Sequence, residues 1–206
     1  MTAILVALAL AAPSGQDNLD RLAAALRSAH AWRAAFTQVY TPEGFTEGTS
    51  ERGTLTLAPP ARLRFDYASG SPRAFAVDGR TARLVDPAAG SCDAVRLDAG
   101  TWGRLPLAAV LDPQAARRAF AVESLGPVLR LVPHEPTPDL AEIAVDLDAG
   151  GFPSRVIVLD GSGTRNTFTF TGWRAVAEPP PSLFQPALPG QTPCLAAEGD
   201  TGPGNR

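Results

Sequence analysis

The chain has 206 residues, enough for one domain with a real core plus a leader and a tail, and neither an internal repeat nor a linker divides it. Its 18 basic residues are all arginine, against 21 acidic ones. The net charge of −3 and pI near 5.4 argue against a nucleic acid or an anionic membrane held by charge, and the lack of lysine excludes Schiff-base and P-loop lysine chemistry.

Ala3 to Ala12 is an apolar run too short to span a bilayer, and polar residues follow at once. Residues 1–12 read as a signal-peptide-like segment with Ala9-x-Ala11 as a small-residue cleavage site, although no Lys or Arg precedes the run. The alternative is a buried N-terminal helical turn. No cysteine lies near the cleavage site, so the expected mature protein is soluble and carries no lipid anchor.

Asp17 to Ser28 reads as an amphipathic helix. Leu19, Leu22 and Leu26 share one face, Asp17 is the expected N-cap, and Asp20 stands three residues on. Trp32 to Tyr40 then turns to strand composition, and residues 42–50 read as loop. Gly53-Thr-Leu-Thr-Leu57 alternates until Pro59-Pro60 stops it. Arg62-Leu-Arg-Phe-Asp-Tyr67 alternates again, with Leu63, Phe65 and Tyr67 on one face and Arg62, Arg64 and Asp66 on the other. Phe75-Ala-Val77, an Asp78-Gly79 turn and Ala82-Arg-Leu-Val85 complete a meander with one apolar and one polar face. Residues 94–97 form a further strand.

Residues 102–118 interrupt this rhythm. Trp102, Leu105, Leu107, Val110 and Leu111 fall in a short helical stretch, and Gln114 to Ala119 in another helical turn or two; such an insert in an antiparallel meander lies across the sheet. Strands resume at Phe120–Leu125, Val128–Val132, Ile143–Asp148, Arg155–Asp160 and Asn166–Trp173. From Glu178 the chain is Pro-rich, and residues 198–206 carry the composition of disorder.

Chemistry-bearing patterns are sparse. His30, at the end of the first helix, and His134, beside Pro133, have no Ser, Cys or Asp partner at a readable spacing. Asp146-Leu-Asp-Ala-Gly-Gly151 resembles a calcium loop only faintly, since Ile157 stands where the bidentate Glu is needed. Gly161-Ser-Gly163 joins two strands, unlike a nucleophile elbow. Cys92 and Cys194 cannot build a metal shell alone. In an exported protein they are expected to pair, two free thiols being the alternative. The loop of about 100 residues would then confer roughly 4–5 kcal/mol at most. No metal or cofactor is expected. The apolar set Leu55, Leu57, Leu63, Phe65, Tyr67, Phe75, Val77 and Leu84 is compatible with an ordinary sandwich or barrel core and with a ligand groove, and alternation alone does not separate them.

Several segments fall in the order of one family. Ala34-Ala-Phe-Thr-Gln38 is similar to its F-x-Q strand. Gly53-x-Leu-x-Leu57 followed by Pro60-x-Arg-Leu-Arg-Phe65 is similar to its G-x-L-x-V…R-P-x-x-F-x-W segment, and Val77-Asp-Gly79 to its strand-ending S-D-G. Leu105-Pro-Leu107 with Phe120 looks like its helical lid; Phe168 to Trp173 and Ser182-Leu-Phe-Gln-Pro186 look like its closing strands. Over most of residues 17–190 the chain resembles the periplasmic outer-membrane lipoprotein carrier family, LolA, leaving residues 191–206 as a Pro/Gly-rich tail.

The resemblance implies a mostly β, α+β fold: an incomplete antiparallel β-barrel, or half-barrel, covered by short helices. It implies a non-enzymatic, monomeric periplasmic chaperone that binds acyl chains of lipoproteins in an apolar groove. The implied partners are acylated lipoproteins, the inner-membrane ABC transporter that releases them and a LolB-like outer-membrane receptor. The eight apolar residues above become the acyl-chain groove, and Leu107, Val110 and Leu111 the lid. The family's R-P dipeptide, whose Arg ties sheet to lid, aligns with Pro59-Pro60, so Arg62 and Arg64 become the expected lid–sheet contacts. A lipid- or lipopeptide-binding sensor that does not shuttle cargo is the alternative, and a hydrolase a third reading.

Overall fold

The computed structural model describes residues 15–97 and 113–196. The chain begins with helix α1 (Gly15–Arg27) and continues through β1 (Ala31–Thr41), β2 (Thr49–Ala58), β3 (Arg62–Tyr67), β4 (Arg73–Val77), β5 (Thr81–Asp86) and β6 (Ser91–Arg96). A short helix α2 (Pro113–Ala119) leads into β7 (Phe120–Leu125), β8 (Val128–Pro133), β9 (Glu142–Leu147), β10 (Pro153–Leu159) and β11 (Arg165–Val176), followed by a 3₁₀ turn at Pro181–Phe184. No helix among the described residues is long and apolar enough to cross a membrane.

These eleven strands form one antiparallel sheet in the order β6-β5-β4-β3-β2-β1-β11-β10-β9-β8-β7. Two meanders are sewn together where β1 pairs with β11. Among the described residues the sheet stays open, with β6 and β7 as its edges, so the fold is an incomplete antiparallel barrel with short helices. The segment between those edges, from 97 to 113, contains Leu107, Val110 and Leu111, and these three lie outside the described residues. So do residues 1–14 and the end of the tail.

Alternation decides what each face does. On the inner face Leu55 pairs with Phe65, Leu57 with Leu63, Phe65 with Phe75, Leu63 with Val77 and Phe75 with Leu84. The same face continues through Phe36 and Phe170 to Val156, Val145 and Leu129 on the far half. A bulge opposite Arg33 and Ala35 admits Gly172, whose φ of 68° is natural for glycine, and re-aims Trp173 so that its indole donates to the Pro153 carbonyl.

Helix α1 buries Leu19, Leu22 and Leu26 in the core of this face, packing against β7, β8 and α2. It starts at Gly15, so Asp17 lies inside the first turn and is not the N-cap. Asp20 makes no capping box; it pairs with Arg117 of α2 at 2.6 Å. Asn18, fully buried, donates to Ser124 Oγ (2.5 Å) and to the Gly126 carbonyl (3.0 Å), which anchors the helix over the β7–β8 turn.

The outer face is strapped by the Pro-rich segment after β11. Phe184 is fully buried with Ala31 and Ala58, and the strap reaches the edge strand through a disulfide between Cys194 and Cys92 of β6. Arg62 and Arg64 belong to this contact. Being odd to Leu63 and Phe65 in the alternation, they point outward: Arg62 pairs with Glu178 at 3.0 Å and lies over the Phe184 ring, and Arg64 donates to the Leu183 carbonyl at 2.8 Å. Their expected role in tying a lid to the inner face is therefore corrected.

Candidate functional site

The inner face is the candidate site. Every residue predicted for the groove lies on it in register, because strand alternation allows only one parity per strand once neighbours are aligned. Their exposure differs. Leu55, Leu57, Leu63, Phe65 and Val77 are buried, Tyr67 and Phe75 are partly buried against the same cluster, and Leu84 near the open edge is 38% exposed.

Aromatic rings run along this face without a break. Phe36 meets Phe65 and Tyr67 edge-on with centroids at 5.0 and 5.1 Å; Phe65 meets Phe168 at 5.7 Å, and Phe168 stacks on Phe170 at 6.2 Å. Trp173, Phe152 and Trp32 continue the series, the last two at 4.5 Å. Reading the first meander alone missed this second half of the wall. The signal was present in Phe168-x-Phe170, but only the β1–β11 pairing shows that it joins Phe36 and Phe65.

At one level the apolar series stops on three strands together. Tyr67 on β3 donates to Gln38 Oε1 at 2.7 Å, and Gln38 Nε2 on β1 donates to Asn166 Oδ1 on β11 at 3.0 Å. Tyr67 can reach across β2 because its neighbour there is Gly53. Arg73 lies 4.2 Å over the Tyr67 ring and holds both oxygens of Glu51 at 2.6 Å. Burial pushes the Tyr67 hydroxyl up to about 12, against the pull of the Arg73 charge. The hydrogen bond from Arg73 holds the Glu51 carboxyl below its ordinary value. Of this row, sequence reasoning singled out Tyr67 and, through its motif, Gln38; Glu51, Arg73 and Asn166 carry no local signature.

Other sequence candidates are resolved as turns and surface. His30 and His134 are exposed. Asp148 accepts from the Phe152 N–H and Asp160 from Ser162 and Thr164, so both acids close hairpin loops. Among the described residues no group of three His, Cys, Asp or Glu side chains is placed to hold a metal ion.

Comparison with known proteins places this geometry. Residues 27–187 match the family described as "Outer membrane lipoprotein carrier protein LolA". An outer-membrane lipoprotein carrier protein of Methylibium petroleiphilum is 27% identical over 185 residues, covering 87% of this chain and 90% of the relative. Among solved structures, an uncharacterized conserved protein of Thermus thermophilus superposes with a TM-score of 0.53 at 14% identity, over 88% of this chain and 98% of that one. The Pseudomonas aeruginosa MucA/MucB complex gives a TM-score of 0.44 at 19% identity, over 84% of this chain but only 61% of the other. With the family match spanning most of the open sheet and its inner wall, the chain belongs to the LolA family of outer membrane lipoprotein carrier proteins.

Proposed function

We propose that this protein is a periplasmic carrier that shields the acyl chains of lipoproteins on the inner face of its open sheet and delivers them to the outer membrane, with no catalytic step. The observation that supports this reading best is an apolar, aromatic-lined face that runs from β5 to β7 in a sheet whose edges do not close. A closed barrel or a two-sheet sandwich would commit that surface to permanent core.

The energetics call for such a site. Each acyl methylene withdrawn from water contributes roughly 0.8 kcal/mol, so a few long chains represent tens of kcal/mol gross. A carrier must hide that surface and still release it. Residues that fill the face when it is empty would compete with the guest for the same wall, and Leu107, Val110 and Leu111 are the proposed occupants. An inner-membrane ABC transporter and a LolB-like receptor are the corresponding donor and acceptor.

The test is reconstitution. Delipidated protein mixed with a triacylated lipoprotein in detergent-free buffer should yield a soluble one-to-one complex, and acceptor vesicles bearing a receptor should then remove the cargo. A folded sample that leaves the lipoprotein aggregated defeats the proposal; binding without delivery defeats the shuttling part of it.

A further inference from the structure

We propose that the row Arg73–Tyr67–Gln38–Asn166 is a second subsite of the groove, one that binds the ester and amide carbonyls linking acyl chains to their polar carrier. This rests on the acyl-carrier reading and adds to it a place and a chemistry for the non-hydrocarbon part of the ligand.

The first argument is position. On β3 the inward residues run Leu63, Phe65, Tyr67; on β1, Ala34, Phe36, Gln38; on β11, Phe170, Phe168, Asn166. Three strands change from hydrocarbon to hydrogen-bonding side chains at one end of the face. Helix α1 lies at the other end, where its Leu26 carbonyl accepts from the Trp32 indole at the start of β1. Six strand steps take the chain from Trp32 to Gln38, about 20 Å. The polar end is also the accessible one, with Tyr40, the strand partner of Asn166, 47% exposed.

The second argument is hydrogen-bond arithmetic. One lone pair of Gln38 Oε1 is taken by Tyr67, Gln38 Nε2 spends one proton on Asn166, and each terminal nitrogen of Arg73 spends one on Glu51. Among the described residues the remaining Gln38 N–H, the Asn166 Nδ2 protons and Arg73 Nε–H have no partner. The row therefore still has donors to offer, beside the unused lone pairs of its Tyr67, Gln38 and Asn166 oxygens. An ester carbonyl is an acceptor with no proton of its own, and it stands at the first position along an acyl lipid where hydrocarbon ends. Bare hydrocarbon offers nothing to this row, whereas the carbonyl of an acylated glyceryl or amide linkage matches its donors.

The experiment uses two lipopeptides with the same chains, one ester-linked and one ether-linked, titrated against the whole protein by fluorescence or calorimetry. Wild type should favour the ester form about tenfold, the scale of one net hydrogen bond. Asn166→Asp keeps the acceptor for Gln38 and the shape but deletes the Nδ2 donors. It should bring the two affinities within about twofold by weakening only the ester form. Ether-probe binding reports whether the variant is folded; if Asn166→Asp fails that control, Gln38→Met decides in its place. Equal affinities in wild type, or an ester preference that survives the substitution, overturn the subsite while leaving the carrier intact. Binding of neither probe by wild type overturns both.

Discussion

Arg83 on β5 and Asp78, in the turn that precedes it, form an ion pair of 2.7 Å beneath the C-terminal strap, and the same guanidinium donates to the Cys194 carbonyl at 3.1 Å. Arg83 is only 7% exposed. Asp78 is fully used as well: its other oxygen accepts the N–H groups of Arg80 and Thr81, which closes the β4–β5 hairpin at Gly79. One carboxylate therefore links a hairpin, a buried cation and the strap.

This predicts acid sensitivity with a definite sign. Burial, the largest influence, would raise the Asp78 carboxyl, but the hydrogen bond from Arg83, the two backbone N–H groups and the Arg83 charge together hold it below its ordinary 3.8. A depressed carboxyl contributes stability that is full above the unfolded value and fades as pH falls through the lower folded one. Wild type should lose that contribution below pH 3.8. Asp78→Asn, which keeps the backbone acceptor but strands Arg83, should cost about 3 kcal/mol at neutral pH and show a shallower acid limb. Urea titrations at a series of pH values measure both, and parallel curves would contradict the assignment.

The disulfide closes a sequence separation of 102 residues between the edge strand and the strap. Chain entropy then favours the folded state by up to about 4.7 kcal/mol. The double substitution Cys92→Ala, Cys194→Ala should lower stability by about 2–5 kcal/mol in denaturant titration, and reductant should change the wild type but not the double variant. Because Arg83, Arg64 and Phe184 still hold the strap, the sheet should persist. Its circular dichroism should keep the β signature.

Two leucines on the inner face distinguish wall from core. Leu63, 2% exposed, should lose about 2–5 kcal/mol as Leu63→Ala through the cavity it leaves. Leu84 is half open near the β6 edge, so Leu84→Glu should stay within about 0.5 kcal/mol of wild type. The same charge placed on the groove should weaken an acylated probe strongly. A Leu84→Glu protein of normal stability and unchanged probe affinity would remove β5 from the groove.

Gly53 is required for a reason unrelated to turns. A β-carbon there would run into the Asp66 carbonyl and meet the Phe36 ring at 2.7 Å. Gly53→Ala should therefore destabilise by at least about 3 kcal/mol, since a strand carbonyl cannot move aside without breaking the β2–β3 ladder. It should also disturb the Tyr67–Gln38 contact that passes over this position. Thermal unfolding followed by tyrosine and tryptophan fluorescence tests both.

Much of the architecture is legible in the residues alone, for a simple reason. Period-2 alternation is a local property, so Leu63, Phe65 and Tyr67 declare a common face by themselves, and Pro59-Pro60 declares where a strand must stop. Helix α1 is equally legible from Leu19, Leu22 and Leu26. Its start is not, because Asp17 satisfies the pattern of a cap whether or not the helix continues before it. Arg62 and Arg64 show the other limit. Their parity tells which way they point, but not that a Pro-rich tail returns across the outer face to meet them.

Local chemistry thus determined the strands and the two faces, since each depends on neighbours a few residues apart. Tertiary structure alone decided that the two meanders join through β1 and β11 while β6 and β7 form the edges of the sheet among the described residues, and that Tyr67, Gln38 and Asn166 meet at one level. Those relations depend on inter-strand register between residues up to 128 positions apart, and no local periodicity encodes register across such a span.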